Sequence, residues 1–474
     1  MTEQLEYDVV VIGAGPPGEN VAGRVVDGGL TAAIVEAELV GGECSYWACM
    51  PSKALLRGTE ALVDAKAVSG AAAAVTGGQD VAATLARRDS FTSNWKDDGQ
   101  VQWLDGAGIT LRRGRGRLSG PRQVTVEGPD GGSTTLTARQ AVVLATGSVA
   151  SIPPIDGLTD ADPWTSRNAT SAQQPPASLA IIGGGVVACE MATAWNALGT
   201  KVIMLVRGER LLDRLEPFAG EQVAATLRES GVEVRTGVSV DAARREDGQV
   251  RLTAGGETIT AEQVLVAAGR TPATGDLGLD TVGLEPGRYL DVDDTCRVTG
   301  VADGWLYAVG DANGRNLLTH MGKYQARMCG TAIVQRSAGD KIDDQAWGTA
   351  VATADHDATP SVIFTVPQVG AVGRTEEQAR ADGLRVRAVT YEIGNVAGAS
   401  LFADGYTGTA KLVVDEDRRT VVGATFVGPG IAELTHSATI AIAGEVTIDR
   451  LWHAVPSYPT ISEVWLRLLE TYGL

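Results

Sequence analysis

The chain has 474 residues, 58 acidic against 40 basic side chains, a formal net charge of −18 at pH 7 and five cysteines. That length supports about two to four domains around a large core, and the negative balance argues against nucleic acid and anionic membranes as main partners. No run of about eighteen apolar residues predicts a membrane span, and five scattered cysteines make no secreted disulfide framework.

The amino terminus, MTEQLEYDVVVIGAG, leads almost directly into an apolar strand, without the basic segment, apolar stretch and cleavage site of an export signal. The expectation is a soluble cytoplasmic protein, where unrelated thiols stay reduced. YDVVVIGAGPPGENVAGRVVDGGLTAAIVEAE then reads as a strand, a Gly13-x-Gly15-x-x-Gly18 turn, a helix and a second strand ending at Glu36. Glycines at that spacing let a backbone approach a pyrophosphate, and the helix start supplies free N–H groups and positive potential. Glu36 can accept hydrogen bonds from an adenosine ribose; a merely tight turn between strand and helix is the bland alternative.

GGECSYWACMPSKALL, residues 41–56, holds Cys44 and Cys49. On one undistorted helix their Cα atoms would stand roughly 8–9 Å apart, beyond the usual disulfide limit of about 7 Å. A bridge therefore needs an interrupted first turn, which Gly41-Gly42 permits and Pro51, unable to donate back to the Trp47 carbonyl, encourages. A thiol at such a helix start also gains thiolate character from the helix dipole. A redox pair and two buried structural thiols both remain open at this point. A metal site is not expected, because no CxxC or nearby histidine completes a ligand set.

AVSGAAAAVTGG (67–78) reads as a surface turn or helix end. AVVLATGS (141–148) reads as an apolar strand, and SAQQPPAS (171–178) as a linker. SLAIIGGGVVACEMATAWNALGTKVIMLVRGER repeats the first design, with Gly183-x-Gly185-x-x-Ala188 and a strand ending at Arg207. Arg207 and Arg210 can pair with a ribose 2′-phosphate where Glu36 cannot, so this second site leans towards NADPH over NADH. Glu209 between them weighs the other way, and a solvated charge at a strand end is the alternative. QVLVAAGRTP (263–272) and the start of GWLYAVGDANGRNLLTH (304–320) are further strands. From about residue 350, strand patterns followed by helix patterns predict a separate α+β domain.

Taken in order, these motifs give the chain a resemblance to the flavoprotein disulfide reductases that bind two dinucleotides: dihydrolipoamide dehydrogenase, glutathione reductase, mycothione reductase and mercuric reductase. The match runs nearly end to end, through GxGxxG with Glu36, GGxCxxxxCxPSK at 41–53, ATGS at 145–148, GGGxxxxE at 183–190, GRTP at 269–272, YAVGD at 307–311 and YPTISE at 458–463. It implies an α/β fold with two Rossmann-like domains, for FAD and NAD(P), and a C-terminal α+β dimerisation domain. The implied boundaries are 1–150 and 276–349 for FAD, 151–275 for NAD(P) and 350–474 for the interface of a homodimer.

The resemblance also implies roles. Gly13, Gly15, Gly18 and Glu36 would hold the FAD pyrophosphate and adenosine ribose and Asp311 its ribityl chain, with Thr319 and His320 near the pyrimidine end. Gly183, Gly185 and Arg207 would hold the nicotinamide dinucleotide, and Gly42, Thr146, Gly147, Gly269 and Gly310 would be further cofactor-binding residues. Lys53 and Glu190 would pair beside the flavin, and Val186 replaces a tyrosine that covers the flavin in several relatives. Electrons would pass from NAD(P)H through FAD to Cys49, against the flavin, and leave through Cys44, facing a small-molecule acceptor. On this pattern the cysteines are a redox pair.

The pattern breaks near the carboxyl terminus. Relatives that reduce organic disulfides carry HPTxSE, whose histidine and glutamate act as acid–base for the exchanging thiol across the dimer. Here PSYPTISE keeps Glu463 but places Tyr458 at the histidine position and Pro456 at another; His453 is the nearest imidazole. A tyrosine with a pKa near 10 is a poor base beside an imidazole near 6.5. Mercuric reductase shares the tyrosine but uses a further cysteine pair, and no cysteine follows Cys329. Two enzyme readings follow: reduction of a small disulfide with an altered proton donor, or of a metal ion or quinone. A third, a redox-sensing or partner-binding flavoprotein, is opposed by the intact Cys44, Cys49, Lys53 and Glu190. Between the cysteines, Tyr46 and Trp47 either fill space or narrow the acceptor pocket.

Overall fold

The computed structural model describes residues 3–474, which divide into two compact units. The first combines the residues up to Met50 with Asp89–Ala150 and Arg270–Asp355; the second combines Pro51–Arg88, Ser151–Gly269 and His356–Leu474.

The first unit is built on a sheet ordered Thr110–Arg113, Ala32–Glu36, Glu3–Ile12, Ser133–Leu144, Gln123–Glu127, Arg115–Gly120, with Leu306–Ala308 also pairing Ser133–Leu144. Its central strands are parallel. Val9, Val10 and Val11 are fully buried, as a continuous β-branched run must be when both faces of a parallel sheet are covered. The helix Pro16–Asp27 starts on Pro16 and Pro17, whose missing N–H groups cost nothing in a first turn, and it buries Val21, Ala22 and Val25. The helix Thr319–Ala338 packs on it through small residues. A Cβ on Gly322 would stand 2.7 Å from Pro17 Cγ, and one on Gly330 2.7 Å from Arg24 Cγ.

The second unit repeats the motif. Ser178–Ile182, the helix Val186–Ala197 and Lys201–Val206 belong to a parallel sheet ordered Glu233–Thr236, Lys201–Val206, Ser178–Ile182, Gln263–Val266. The helix is buried without interruption from Ala188 to Trp195, so apart from Glu190 and Thr193 this stretch is apolar all round rather than amphipathic. Trp195 is fully buried, its ring 6.0 Å from that of Trp164. The carboxyl-terminal part forms an antiparallel sheet ordered Pro360–Ile363, Gln368–Gly373, Thr420–Gly428, Thr409–Asp415, Val386–Glu392. Every residue of its middle strand, Thr420–Gly428, is buried. Among the described residues no helix is long and apolar enough to cross a membrane.

Trp195→Ala removes the largest fully buried side chain of the second unit's core and should cost about 3–5 kcal/mol, read as a lower urea midpoint. An unchanged midpoint would mean that this core collapses freely around the gap.

Candidate active site

Five of the predicted cofactor residues line one turn system in the first unit. Gly13 has φ +99°, and a Cβ there would lie 2.4 Å from the Ala145 carbonyl oxygen. A Cβ on Gly18 would lie 2.0 Å from the Gly13 carbonyl oxygen, so helix and strand close up only because both positions lack side chains. Gly15 is different: its nearest neighbour would be Pro17 Cδ at 3.9 Å, leaving an open face for an incoming group. Gly42, with φ +55°, brings the next segment against this turn, its Cβ direction meeting Gly15 Cα at 2.8 Å. At the strand end, Glu36 accepts from the amides of Ala14 at 2.7 Å and Glu38 at 2.8 Å, while burial pushes its carboxyl up.

Opposite, Thr146 Oγ1 is buried with no hydrogen-bond partner among the described residues, and Gly147 has φ +72°. Asp311 accepts from the Ser148 hydroxyl, which in turn accepts from Arg270 Nε at 2.6 Å. Gly310, with φ +67°, donates its amide to Gln325 Oε1 at 2.8 Å. An open glycine face, an orphaned hydroxyl and a ribose-competent carboxylate fit a dinucleotide such as FAD. His320 is exposed on the first turn of Thr319–Ala338.

The thiols lie beside this cradle. One helix, Gly42–Tyr46, ends where the Trp47 and Ala48 amides both donate to the Glu43 carbonyl, at 2.8 and 2.7 Å; the next begins at Cys49. The interruption brings Cys44 and Cys49 into hydrogen-bond contact as free thiols. Cys49 Sγ also lies 3.2 Å from Thr319 Oγ1. The bond to Cys49 pushes the Cys44 thiol well up, and burial adds to it; Thr319 and the charge of Lys323 pull the other way. Tyr46 is buried and donates its hydroxyl to the Val40 carbonyl at 2.9 Å, with burial raising its pKa to about 12. It fills space and does not line a pocket.

In the second unit Lys53 Nζ meets Glu190 Oε2 at 2.7 Å, with side chains 35% and 4% exposed. The Phe364 amide donates to Glu190 Oε1 at 3.0 Å, and the Phe364 ring centroid lies 5.0 Å from the ammonium. Gly183, with φ +130°, would drive a Cβ to 2.3 Å from the Ala267 carbonyl oxygen, while Gly185 and Gly269 face open space. Val186 and Arg207 are exposed. Tyr458 is 77% exposed, and His453 is exposed just past the helix Ile448–Leu451. Glu463 is buried; Oε1 accepts from Arg467 Nη2 at 2.6 Å, and Oε2 has no partner among the described residues.

Thr319 was expected beside the flavin, and its contact with Cys49 is a further position for it. Phe364 and Arg467 carried no expectation. The Glu463–Arg467 spacing of four is a readable helix pair, whereas nothing local ties Phe364 to Glu190. Cys189, Cys296 and Cys329 are buried, and burial raises each thiol. Among the described residues no group of three or more His, Cys, Asp or Glu is placed to hold a metal ion.

Comparison with known proteins places this geometry. Residues 7–328 match the pyridine nucleotide-disulphide oxidoreductase family, and residues 359–468 match its dimerisation domain. The chain is 29% identical over 464 residues to dihydrolipoyl dehydrogenase of Chlamydia muridarum, covering 97% of this chain and 95% of that one. It is 32% identical to mercuric reductase of Shigella flexneri, over 98% and 80% of the two chains. In fold it is similar to the Cu(II) complex of the HOCl-induced flavoprotein disulfide reductase RclA from Escherichia coli, with a TM-score of 0.83, 22% identity and 99% of both chains covered.

Lys53→Met strands the buried Glu190 carboxylate with one amide donor and should cost about 2 kcal/mol, since the half-exposed ammonium lets water take part of its place. Adding Glu190→Gln should recover part of the loss in a double-mutant cycle followed by urea unfolding. Strictly additive losses would show that the pair carries no coupling.

Proposed function

The chain belongs to the pyridine nucleotide-disulphide oxidoreductases, and from that premise we propose that it is an NADPH-dependent, FAD-containing enzyme whose Cys44–Cys49 pair hands electrons to a small acceptor. The observation that carries the reading is the thiol pair itself: two cysteines five positions apart, brought into contact by an interrupted helix and seated against Thr319. Bound FAD would supply two-electron carrier chemistry between the nicotinamide and an oxidised Cys44–Cys49 disulfide, which two electrons and two protons return to the thiol pair. Gly13, Gly15, Gly18, Gly42 and Glu36 are read as binding its pyrophosphate and ribose, with Thr146, Gly147, Gly310 and Asp311 along the ribityl chain. Lys53, held by Glu190, supplies a fixed cation four residues after Cys49 on the helix Cys49–Lys66. Gly183, Gly185, Gly269 and Arg207 are read as the nicotinamide dinucleotide's residues, and NADPH as the donor. The matched dimerisation domain supports a homodimer, and the cytoplasm is the proposed setting.

For the acceptor, a small disulfide reduced with an altered proton donor is the first reading. Metal ions or quinones are the second, favoured by Tyr458. That side chain is 77% exposed and occupies the position from which relatives supply an imidazole. A phenol ionised to only about one part in 10³ at pH 7 manages protons poorly, and an acceptor that takes electrons without a departing thiol needs less of it.

Anaerobic NADPH titration should raise a long-wavelength absorbance from a thiolate lying against oxidised flavin, absent in Cys49→Ser; bleaching without that band would leave the pair outside the electron path. In steady state, lipoamide, glutathione disulfide, mycothiol disulfide, a quinone, Cu²⁺ and Hg²⁺ should separate the two readings. Turnover of one disulfide, lost in Cys44→Ser, supports the first. Turnover of quinone or metal alone, with disulfide activity appearing in Tyr458→His, supports the second.

Arg207→Ala should lower kcat/KM for NADPH by about tenfold, the loss of one charge-assisted contact, and leave NADH nearly unaffected. An equal effect on both donors would remove Arg207 from the 2′-phosphate.

A further inference from the structure

Glu43 does two things in the segment that holds the thiols. Its backbone carbonyl accepts the Trp47 and Ala48 amides, at 2.8 and 2.7 Å, and so ends the helix Gly42–Tyr46. Its carboxylate oxygen Oε1 stands 3.9 Å from Arg270 Nη2. The motif GGxCxxxxCxPSK leaves position 43 open. A carboxylate one residue past Gly42, which packs on Gly15, adds negative charge beside a turn read as receiving a pyrophosphate. Such a residue needs a cation to hold it.

Arg270 is placed to be that cation, and it is itself fixed. It opens the strand Arg270–Pro272, antiparallel to Ser148–Ala150. Its Nε donates to the Ser148 hydroxyl and its Nη2 to the Ser148 carbonyl, each at 2.6 Å, a two-pronged grip that a lysine cannot copy. Ser148 is buried and donates its own hydroxyl to Asp311 Oδ2. Arg270 Nε also stands 3.8 Å from that same Asp311 oxygen. The guanidinium thus lies within ion-pair distance of two carboxylates, one on the helix of Cys44 and one read as meeting the ribityl chain. The side chains of Glu43, Arg270 and Asp311 are 27%, 23% and 24% exposed, so water replaces these pairings only in part. All of these residues belong to the first unit.

We propose that Glu43 and Arg270 are positioning residues that register the Cys44–Cys49 segment against the flavin-binding carboxylate Asp311. The proposal rests on the reading of this cradle as the FAD site. Arg270 keeps Ser148 and Asp311 aimed, and the same cation holds the residue whose carbonyl interrupts the helix. Without Arg270, Glu43 and Asp311 become like charges that have lost their common counterion, and the interruption loses its side-chain anchor. The 3.9 Å contact is an ion pair without a hydrogen bond, so its own worth is modest. The larger effect of Arg270 comes through its charge-assisted grip on Ser148.

The test uses the full chain loaded with FAD and reduced anaerobically by dithionite, so that no nicotinamide contact enters. Two quantities are read: the FAD dissociation constant, from flavin fluorescence on adding FAD to apoprotein, and the long-wavelength absorbance after two electrons. Arg270→Gln should weaken FAD binding about tenfold, and Arg270→Lys by less, since the charge stays while the fork is lost. Glu43→Gln should weaken it about two- to threefold and lower the long-wavelength absorbance. In the Arg270→Gln background, Glu43→Gln should instead restore part of both, because it removes one of two uncompensated like charges. Additive losses in the double variant overturn the proposal while the FAD reading stands. So does Glu43→Gln with native affinity and absorbance, whatever Arg270→Gln does to folding. Unaltered protein that binds FAD but gives no long-wavelength absorbance removes the thiol from the flavin, and the positioning role with it. Apoprotein that fails to bind FAD overturns the reading of the cradle itself.

Discussion

Trp47 and Ala48 both return their amides to the Glu43 carbonyl, and that shared acceptor ends one helix and aims the next. An unbroken helix would hold Cys44 and Cys49 on different sides of a cylinder. The interruption puts them in contact, starts a new helix on Cys49 and sets Lys53 one turn further on. It is possible because Gly41 and Gly42 both take positive φ, so the chain can start the first short helix with its backbone packed against Gly15. The redox chemistry proposed for this chain has no other starting point.

Three buried or half-buried glutamates show how differently the fold treats one side chain. Glu36 sits at a strand end with two amides, a polar environment suited to a ribose. Glu190 is nearly inaccessible, yet each oxygen has a partner, Lys53 on one and the Phe364 amide on the other. Glu463 has Arg467 on one oxygen and, among the described residues, no partner on the other. A buried carboxylate oxygen without a donor is costly. At Glu463 that cost falls five residues after Tyr458.

The segment around Tyr458 is the most exposed part of the second unit that carries an expectation about function. Val455 is 85% exposed, and Trp452 and His453 lie on the surface with it. Apolar side chains held out in this way mark a surface made to be covered, consistent with the matched dimerisation domain.

Much of this protein was legible in its sequence because the deciding physics is local. Glycine spacing dictates where a backbone may turn back on a strand, so both βαβ units could be read directly, with Glu36 and Arg207 at their strand ends. The need for an interrupted helix between the cysteines followed from helix geometry alone. What the sequence could not carry is contact between distant segments. The Phe364 amide reaches Glu190 from 174 residues away, and Thr319 reaches Cys49 from 270. Gly322 comes against Pro17 only because two helices far apart in sequence pack together. Composition could not say whether Tyr46 lined a pocket or filled the core; its hydroxyl bond to Val40 decided for the core. Periodicity and turn stereochemistry fix the elements and their motifs, but the environment of each reactive group is set by whichever segments packing brings against it.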